Sequence, residues 1–446
     1  RTTAERLAAT LRRGNEALSP RALRRLLADL QEVVAPRVSE VEGGRRAEAV
    51  AGWYAQAQPE ERRDMWLLMC EQFAADAERV KSARQRHEAA AGTADEQQAE
   101  MHLRRALVSP RTRLLQRFAV FPQGMRFLVD LRAELLPHLK ADKRLLPLDV
   151  ELEHLFSTWF DVAFLELKRL SWDSPASLLE KLIKYEAVHD IRSWADLKNR
   201  LDSDRRCYGF FHPRLPNEPL IFVEVALLAD LSSSITPLLD ESAAPADLAR
   251  ATTAIFYSIS NTQTGLRGVS FGDSLIKNVV ETLAEEFPRL RTFATLSPIP
   301  GFRAWFNKQC AAAIESLDDK RRAELGRAVG FEPPQAAHVL AAADKALDLP
   351  PKSPVRQLLL HCAAQYLGRE LQDGKPLDAV ARFHLGNGAR VERLNWAGDP
   401  SAKGVKQSFG LMVNYLYDLK RIDKHRSLLA DGRVPVSGDI ESLCRG

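Results

Sequence analysis

The sequence predicts an α+β protein: an all-helical N-terminal domain over residues 1–158, then a mixed α/β catalytic domain over 159–446 with a helical insertion. Three observations carry this. Strand signals are nearly absent before residue 158. Runs of β-formers begin after Trp172. Helical spacing then returns from about residue 303 to residue 380, after the last of the central β runs. A length of 446 residues suits two or three domains and a sizeable core.

The first helix is announced by Ser19-Pro20, a capping hydroxyl followed by proline at the first helical position. Leu23, Leu26, Leu27, Leu30 and Val33 then form one apolar stripe. Met65-Trp66-Met69-Phe73 and Leu128-Leu131-Leu135 repeat the pattern, with turns near Pro59, Gly92, Pro110 and Pro122-Gln123-Gly124. Nothing in this part carries catalytic chemistry, and its expected role is contact between subunits. Later, Leu220–Leu227, Ile255–Ile259, Thr292–Leu296 and Val391–Trp396 read as strands. Ser232 to Ala249 reads as a polar loop. Leu275, Ile276, Val279, Val280 and Leu283 mark a helix between the second and third strands. Pro333-Pro334 and Pro350-Pro351 break the helical insertion.

Composition excludes several classes. The chain holds 63 Lys and Arg against 59 Asp and Glu, a net +4, which lacks the lopsided basic character of a nucleic-acid binder. Its five cysteines show no C-x-x-C pair, so they read as reduced thiols rather than disulfides or a zinc site. The best candidate for a membrane span, Phe156 to Leu165, is short and carries Asp161, which argues against membrane insertion. The start lacks a signal-peptide apolar region; Arg12-Arg13 has transit-peptide character that Glu5 and Glu16 oppose. A cytoplasmic location is expected.

Chemistry concentrates in three segments. The run Thr292 to Leu296 delivers Ser297 and meets Pro298 and Pro300. Proline cannot continue a ladder and holds its predecessor extended, so the hydroxyl stands on a stiff corner. Upstream, Gln263 to Gly272 carries three glycines ahead of the Leu275 helix, a turn suited to a phosphate, with Arg267 adding charge. Within it, Gly268-Val269-Ser270-Phe271-Gly272 fits the G-x-S-x-G serine-hydrolase elbow. That elbow needs a strand running into the serine, and here the strand signal fades near Ile259. Downstream, Phe383-His384-Leu385-Gly386-Asn387-Gly388 sets a histidine before an Asn-Gly turn. The histidines show no H-e-x-x-H spacing, so no metal site is expected. Tyr415 and Tyr417 offer phenols, at least one of them expected simply to pack.

Those three segments, with Asn395-Trp396 and Gly410-Leu411-Met412-Val413-Asn414-Tyr415, resemble the malonyl-CoA decarboxylase family in the same order through residues 170 to 430. The resemblance implies a helical domain followed by a catalytic domain similar to the acetyltransferase (GNAT) superfamily. It places the family's catalytic serine, histidine and tyrosine on Ser297, His384 and Tyr417. It implies that Arg267, Gly268, Val269, Ser270, Phe271, Gly272 and Asp273 hold the CoA pyrophosphate. Animal members carry a glutamate where this chain has Ser270, so no acidic role passes to that position. The C-terminus, Leu443-Cys444-Arg445-Gly446, is not the peroxisomal Ser-Lys-Leu signal of some relatives. The implied substrate is malonyl-CoA, with acetyl-CoA as product, no cofactor, and a homo-oligomer built through the helical domain. The alternatives are another CoA-dependent acyltransferase or an acyl-CoA hydrolase.

Overall fold

A computed structural model describes residues 17–272 and 274–445. The chain divides into two compact units. The first contains the N-terminal helices through Leu165, joined by the later segments His212–Glu218 and Gln263–Phe271. The second contains Glu166–Phe211, Pro219–Thr262 and the chain from Gly272 onward.

In the first unit the Ser19 hydroxyl accepts from the Ala22 N–H and starts the helix Pro20–Val33. Leu23, Leu26, Leu27, Leu30 and Val33 are all buried, the stripe that the spacing predicts. Each such leucine contributes about 1.5–3 kcal/mol by leaving water. Pro59 and Pro110 open helices at their first positions, as their fixed φ favours.

The second unit is built on one mixed sheet. Its strands are β1 (Glu166–Leu170), β2 (Arg205–Phe211), β3 (Pro219–Leu228), β4 (Thr253–Asn261), β5 (Thr292–Thr295) and β6 (Ser297–Pro298). A small hairpin, β7 (Leu371–Gln372) with β8 (Lys375–Pro376), stands apart. β9 (Arg390–Asn395) and β10 (Met412–Leu416) complete the main sheet in the order β1-β2-β3-β4-β5-β10-β6, with β9 against β10. β1 to β4 are antiparallel; β4 and β5 are parallel, joined through the helix Leu275–Glu286. The fold is α+β, as the sequence predicts. Four strands match the β-rich runs. β1, β2 and β10 were not legible as strands: β1 mixes charged residues with leucine, β2 opens on Arg205-Arg206 and contains Gly209, and β10 carries Asn414 at its centre.

Between β6 and the His384 segment run the helices Phe302–Glu315, Asp319–Val329, Ala336–Ala343 and Pro354–Gly368, with both diproline breaks where expected. The polar stretch 232–249 is largely irregular but includes a helical turn at Thr236–Leu239.

Candidate active site

The sheet has a fault where β10 passes from β5 to β6. Leu416 pairs with Ala294, and Val413 and Met412 pair with Ser297 and Pro298. Side chains take over the missing ladder bonds between those points. The main-chain N–H of Tyr415 donates to Thr295 Oγ1 at 3.1 Å, and the Asn414 amide donates to the Thr295 carbonyl at 2.7 Å. Asn395 donates in turn to Asn414 Oδ1 at 2.9 Å. These groups are fully enclosed, where an unpaired polar atom would cost about 1–3 kcal/mol. The interruption ends β5 at Thr295; pairing resumes in β6, where Ser297 and Pro298 still face β10, so the ladder stops one residue later than the prolines suggested.

Ser297 and His384, 87 positions apart, meet with Oγ 3.3 Å from Nε2. The other ring nitrogen, Nδ1, lies 2.7 Å from the Tyr417 hydroxyl. The structure thus brings together all three residues that the family resemblance singles out. Tyr415 stacks on the imidazole, ring centres 4.7 Å apart and 26° from parallel, so this phenol is the one that packs. Ser297 also donates to Thr295 Oγ1 at 2.8 Å. Burial drives the His384 pKa down to about 3 and pushes the Tyr417 and Tyr415 phenols well above their ordinary value. The imidazole is therefore neutral and both phenols are protonated at ordinary pH.

The helix that carries the histidine, Ala379–Gly386, is fixed at its start by Asp378. That carboxylate accepts from the N–H groups of Val380 and Ala381, both at 2.9 Å, and from the Tyr366 hydroxyl at 3.3 Å. Desolvation raises the Asp378 pKa. His384 lies in the last turn of this helix, just before the turn at Asn387-Gly388, as the sequence suggested. The glycine of Ser-Pro-Ile-Pro-Gly-Phe also has a reason. A Cβ at Gly301 would stand 2.3 Å from the Tyr366 hydroxyl, so only glycine lets these pieces close together. Ile299 and Phe302 anchor the motif in the core. Thr295, Asp378 and Tyr366 were missed in the sequence. A threonine in a β run and an aspartate before a short helix look ordinary.

The glycine turn belongs to the first unit. Thr264–Leu266 forms one 3-10 turn, and Gly268 and Gly272 adopt φ of +82° and +81°. Arg267, Gly268 and Ser270 are exposed, Gly272 is half-buried, and Val269 and Phe271 are buried anchors. The Val269 N–H is used within the turn, on Leu266 O. Asp273 lies outside the described residues. The helix opens at Leu275, after the turn rather than directly on its last glycine. Ser270 is not at the end of a strand, since β4 stops at Asn261 and the 3-10 turn intervenes. No hydrolase elbow forms there.

The helical unit has a share in shaping this turn that the sequence did not reveal. Arg132, 1% exposed, donates to the carbonyls of Gly265 and Arg267 at 2.8 and 2.9 Å and pairs with Asp149 at 2.8 Å. Gly265 packs so closely that a Cβ would fall 1.9 Å from the Val129 carbonyl oxygen. A buried arginine satisfying two carbonyls leaves no periodic or motif signal, which is why it escaped notice.

Among the described residues, no group of three or more His, Cys, Asp or Glu is placed to hold a metal ion. No helix among them is long and apolar enough to cross a membrane.

Residues 163–446 match the malonyl-CoA decarboxylase C-terminal domain, and residues 73–160 match its N-terminal domain. The chain is 38% identical to "Malonyl-CoA decarboxylase, mitochondrial" of Anser anser anser over 338 residues, 71% of this chain and 66% of that protein. Identity to the Rattus norvegicus protein of the same name is 37% over 366 residues, 78% of this chain and 73% of that one. The crystal structure of malonyl-CoA decarboxylase from Rhodopseudomonas palustris matches with TM-score 0.80 and 40% identity, covering 94% of this chain and 99% of that chain. The structure of the enzyme from Cupriavidus metallidurans matches with TM-score 0.79 and 43% identity, covering 95% and 100%. With both domains matched in order, this chain belongs to the malonyl-CoA decarboxylase family.

Proposed function

We propose that this protein decarboxylates malonyl-CoA to acetyl-CoA and CO2. The C–C bond to the carboxylate breaks, its electron pair enters the thioester as an enolate, and one proton adds at C2. The thioester carbonyl is itself the electron sink, so the reaction requires no metal or organic cofactor. The observation that carries the reading is the buried contact of Ser297 with His384, closed on the far side by Tyr417.

Ser297 holds the malonyl head group through its hydroxyl. A neutral donor suits the task, because a cation clamped on the carboxylate would stabilise the charged ground state that must be lost. Donors aimed at an enolate oxygen lower the barrier by roughly 3–4 kcal/mol each. His384, with Tyr417 behind it, supplies or relays the proton to C2. Neutral imidazole suffices as the acid, since an enolate carbon is a far stronger base. The turn Arg267 to Asp273 holds the CoA phosphates, supported by its exposed cation and its positive-φ glycines.

Malonyl-CoA supplied alone tests the reading: equal amounts of acetyl-CoA and CO2 are expected. Free CoA thiol in their place would indicate a hydrolase. Turnover only with an added amine would indicate an acyltransferase. The geometry disfavours the hydrolase, because a hydrolytic triad needs an acid on the histidine and here a phenol stands at Nδ1. The proposal extends to a homo-oligomer formed through the helical domain, which sedimentation would check. It also places the protein in the cytoplasm, in keeping with five free, buried cysteines; cell fractionation would check that.

A further inference from the structure

Thr295 and Ser297 are two residues apart on extended chain, so their side chains share a face. Thr295 Oγ1 receives two donors, the Ser297 hydroxyl at 2.8 Å and the Tyr415 main-chain N–H at 3.1 Å. An N–H can only donate, and a hydroxyl oxygen accepts through two lone pairs. Ser297 is the donor of its contact with Thr295, so its single proton is committed there, and Ser297 Oγ presents lone pairs to His384 Nε2 at 3.3 Å. Only a donor satisfies that contact, so Nε2 carries the ring hydrogen. A neutral imidazole holds one such hydrogen, which leaves Nδ1 to accept from the Tyr417 hydroxyl at 2.7 Å.

We infer that the hydrogen bonds of this site run in one direction, from Tyr417 through His384 and Ser297 to Thr295, and that Thr295 is the positioning residue that sets the direction. The low pKa of His384 and the high pKa of Tyr417 agree with it, since both groups are then neutral. One consequence concerns mechanism and rests on the decarboxylase reading. With its Nε2 hydrogen facing Ser297, His384 cannot take the serine proton, so Ser297 acts as a donor and not as a nucleophile or base. Its hydroxyl turns from Thr295 to the substrate when the acyl group arrives, and the His384 N–H follows as the second donor in line.

The test reads the tautomer directly. In protein labelled with 15N-histidine, the His384 signals are identified by their loss in His384→Asn. A protonated Nε2 and an unprotonated Nδ1 are expected in the wild type. Thr295→Val removes the acceptor, so the serine proton turns to Nε2 and the ring hydrogen moves to Nδ1. The same variant is expected to lose about tenfold in kcat while KM changes less than about threefold. Thr295→Ser restores both tautomer and rate. A wild type protonated at Nδ1 would overturn the inference without any variant. So would a Thr295→Val protein whose tautomer and kcat are unchanged. If the wild type released no CO2 from malonyl-CoA, the reaction would fall and the tautomer result would stand.

Discussion

Tyr417 and His384 meet at 2.7 Å through the ring nitrogen that faces away from Ser297. A phenol thus stands where a hydrolytic site would place a carboxylate, and it cannot stabilise an imidazolium as an anion would. The arrangement suits a histidine that stays neutral.

The first expectation concerns the pair itself. Ser297→Ala and His384→Asn should each lower kcat about 10²–10⁴-fold, while CoA binding changes little. Steady-state kinetics with binding measured by calorimetry separates the two. Near-normal turnover in both variants would remove Ser297 and His384 from the mechanism.

A second expectation follows from burial. Desolvation holds His384 at about 3 in the folded protein, below the ordinary 6.5 of the unfolded chain. Its contribution to stability is present above pH 6.5 and is lost as pH falls toward 3. Between pH 5.5 and 8 the group does not titrate, so kcat/KM should show no inflection assignable to it. A pH–rate profile with a clear step near 6.5 that His384→Gln abolishes would contradict this.

Glu224 gives a third. This wholly buried carboxylate faces Arg200 at 3.1 Å, and burial with nearby Glu186 raises it to about 8, with Arg200 opposing and Asp196 adding to the rise. The folded value lies above the ordinary 4.5, so the folded state keeps a proton that the unfolded chain has released. That stabilisation is full below pH 4.5 and disappears as pH rises through about 8. Glu224→Gln should therefore flatten the fall in melting temperature between pH 6 and 9, by about 2–4 °C. Parallel melting curves for the two proteins would refute it.

Arg132 supports a fourth. Arg132→Met strips two carbonyls of their donor and leaves Asp149 buried without its partner, which should cost about 3–5 kcal/mol. Adding Asp149→Leu should return part of the melting temperature, because it removes the unpaired carboxylate while the two carbonyls stay without their donor. The KM for malonyl-CoA should stay raised about tenfold in the double variant if the turn needs Arg132 for its shape. Recovery of both properties together would mean that the arginine only stabilises the helical unit.

Much of this was legible in the sequence. The stripe Leu23 to Val33 and the proline-opened helices follow from spacing and fixed φ, which act locally. Ser297 was legible because two prolines can end a strand in few ways. Thr295, Asp378 and Arg132 were not, since each acts on a partner far away in sequence or on a main-chain atom. Thr295 reads as a β-former until Tyr415 is seen to donate to its oxygen. Arg132 reads as one more helical cation until the carbonyls of Gly265 and Arg267 close on it.

The long helical excursion between residues 297 and 384 also bears on the birth of activity. The hydroxyl, the imidazole and the phenol emerge from the ribosome far apart in time, with 87 positions between the first two and 33 between the last two. Contacts this distant in sequence form late, after the intervening segments have docked. A nascent chain would therefore remain inert until Tyr417 had been released, and a fragment ending before it would lack a finished site.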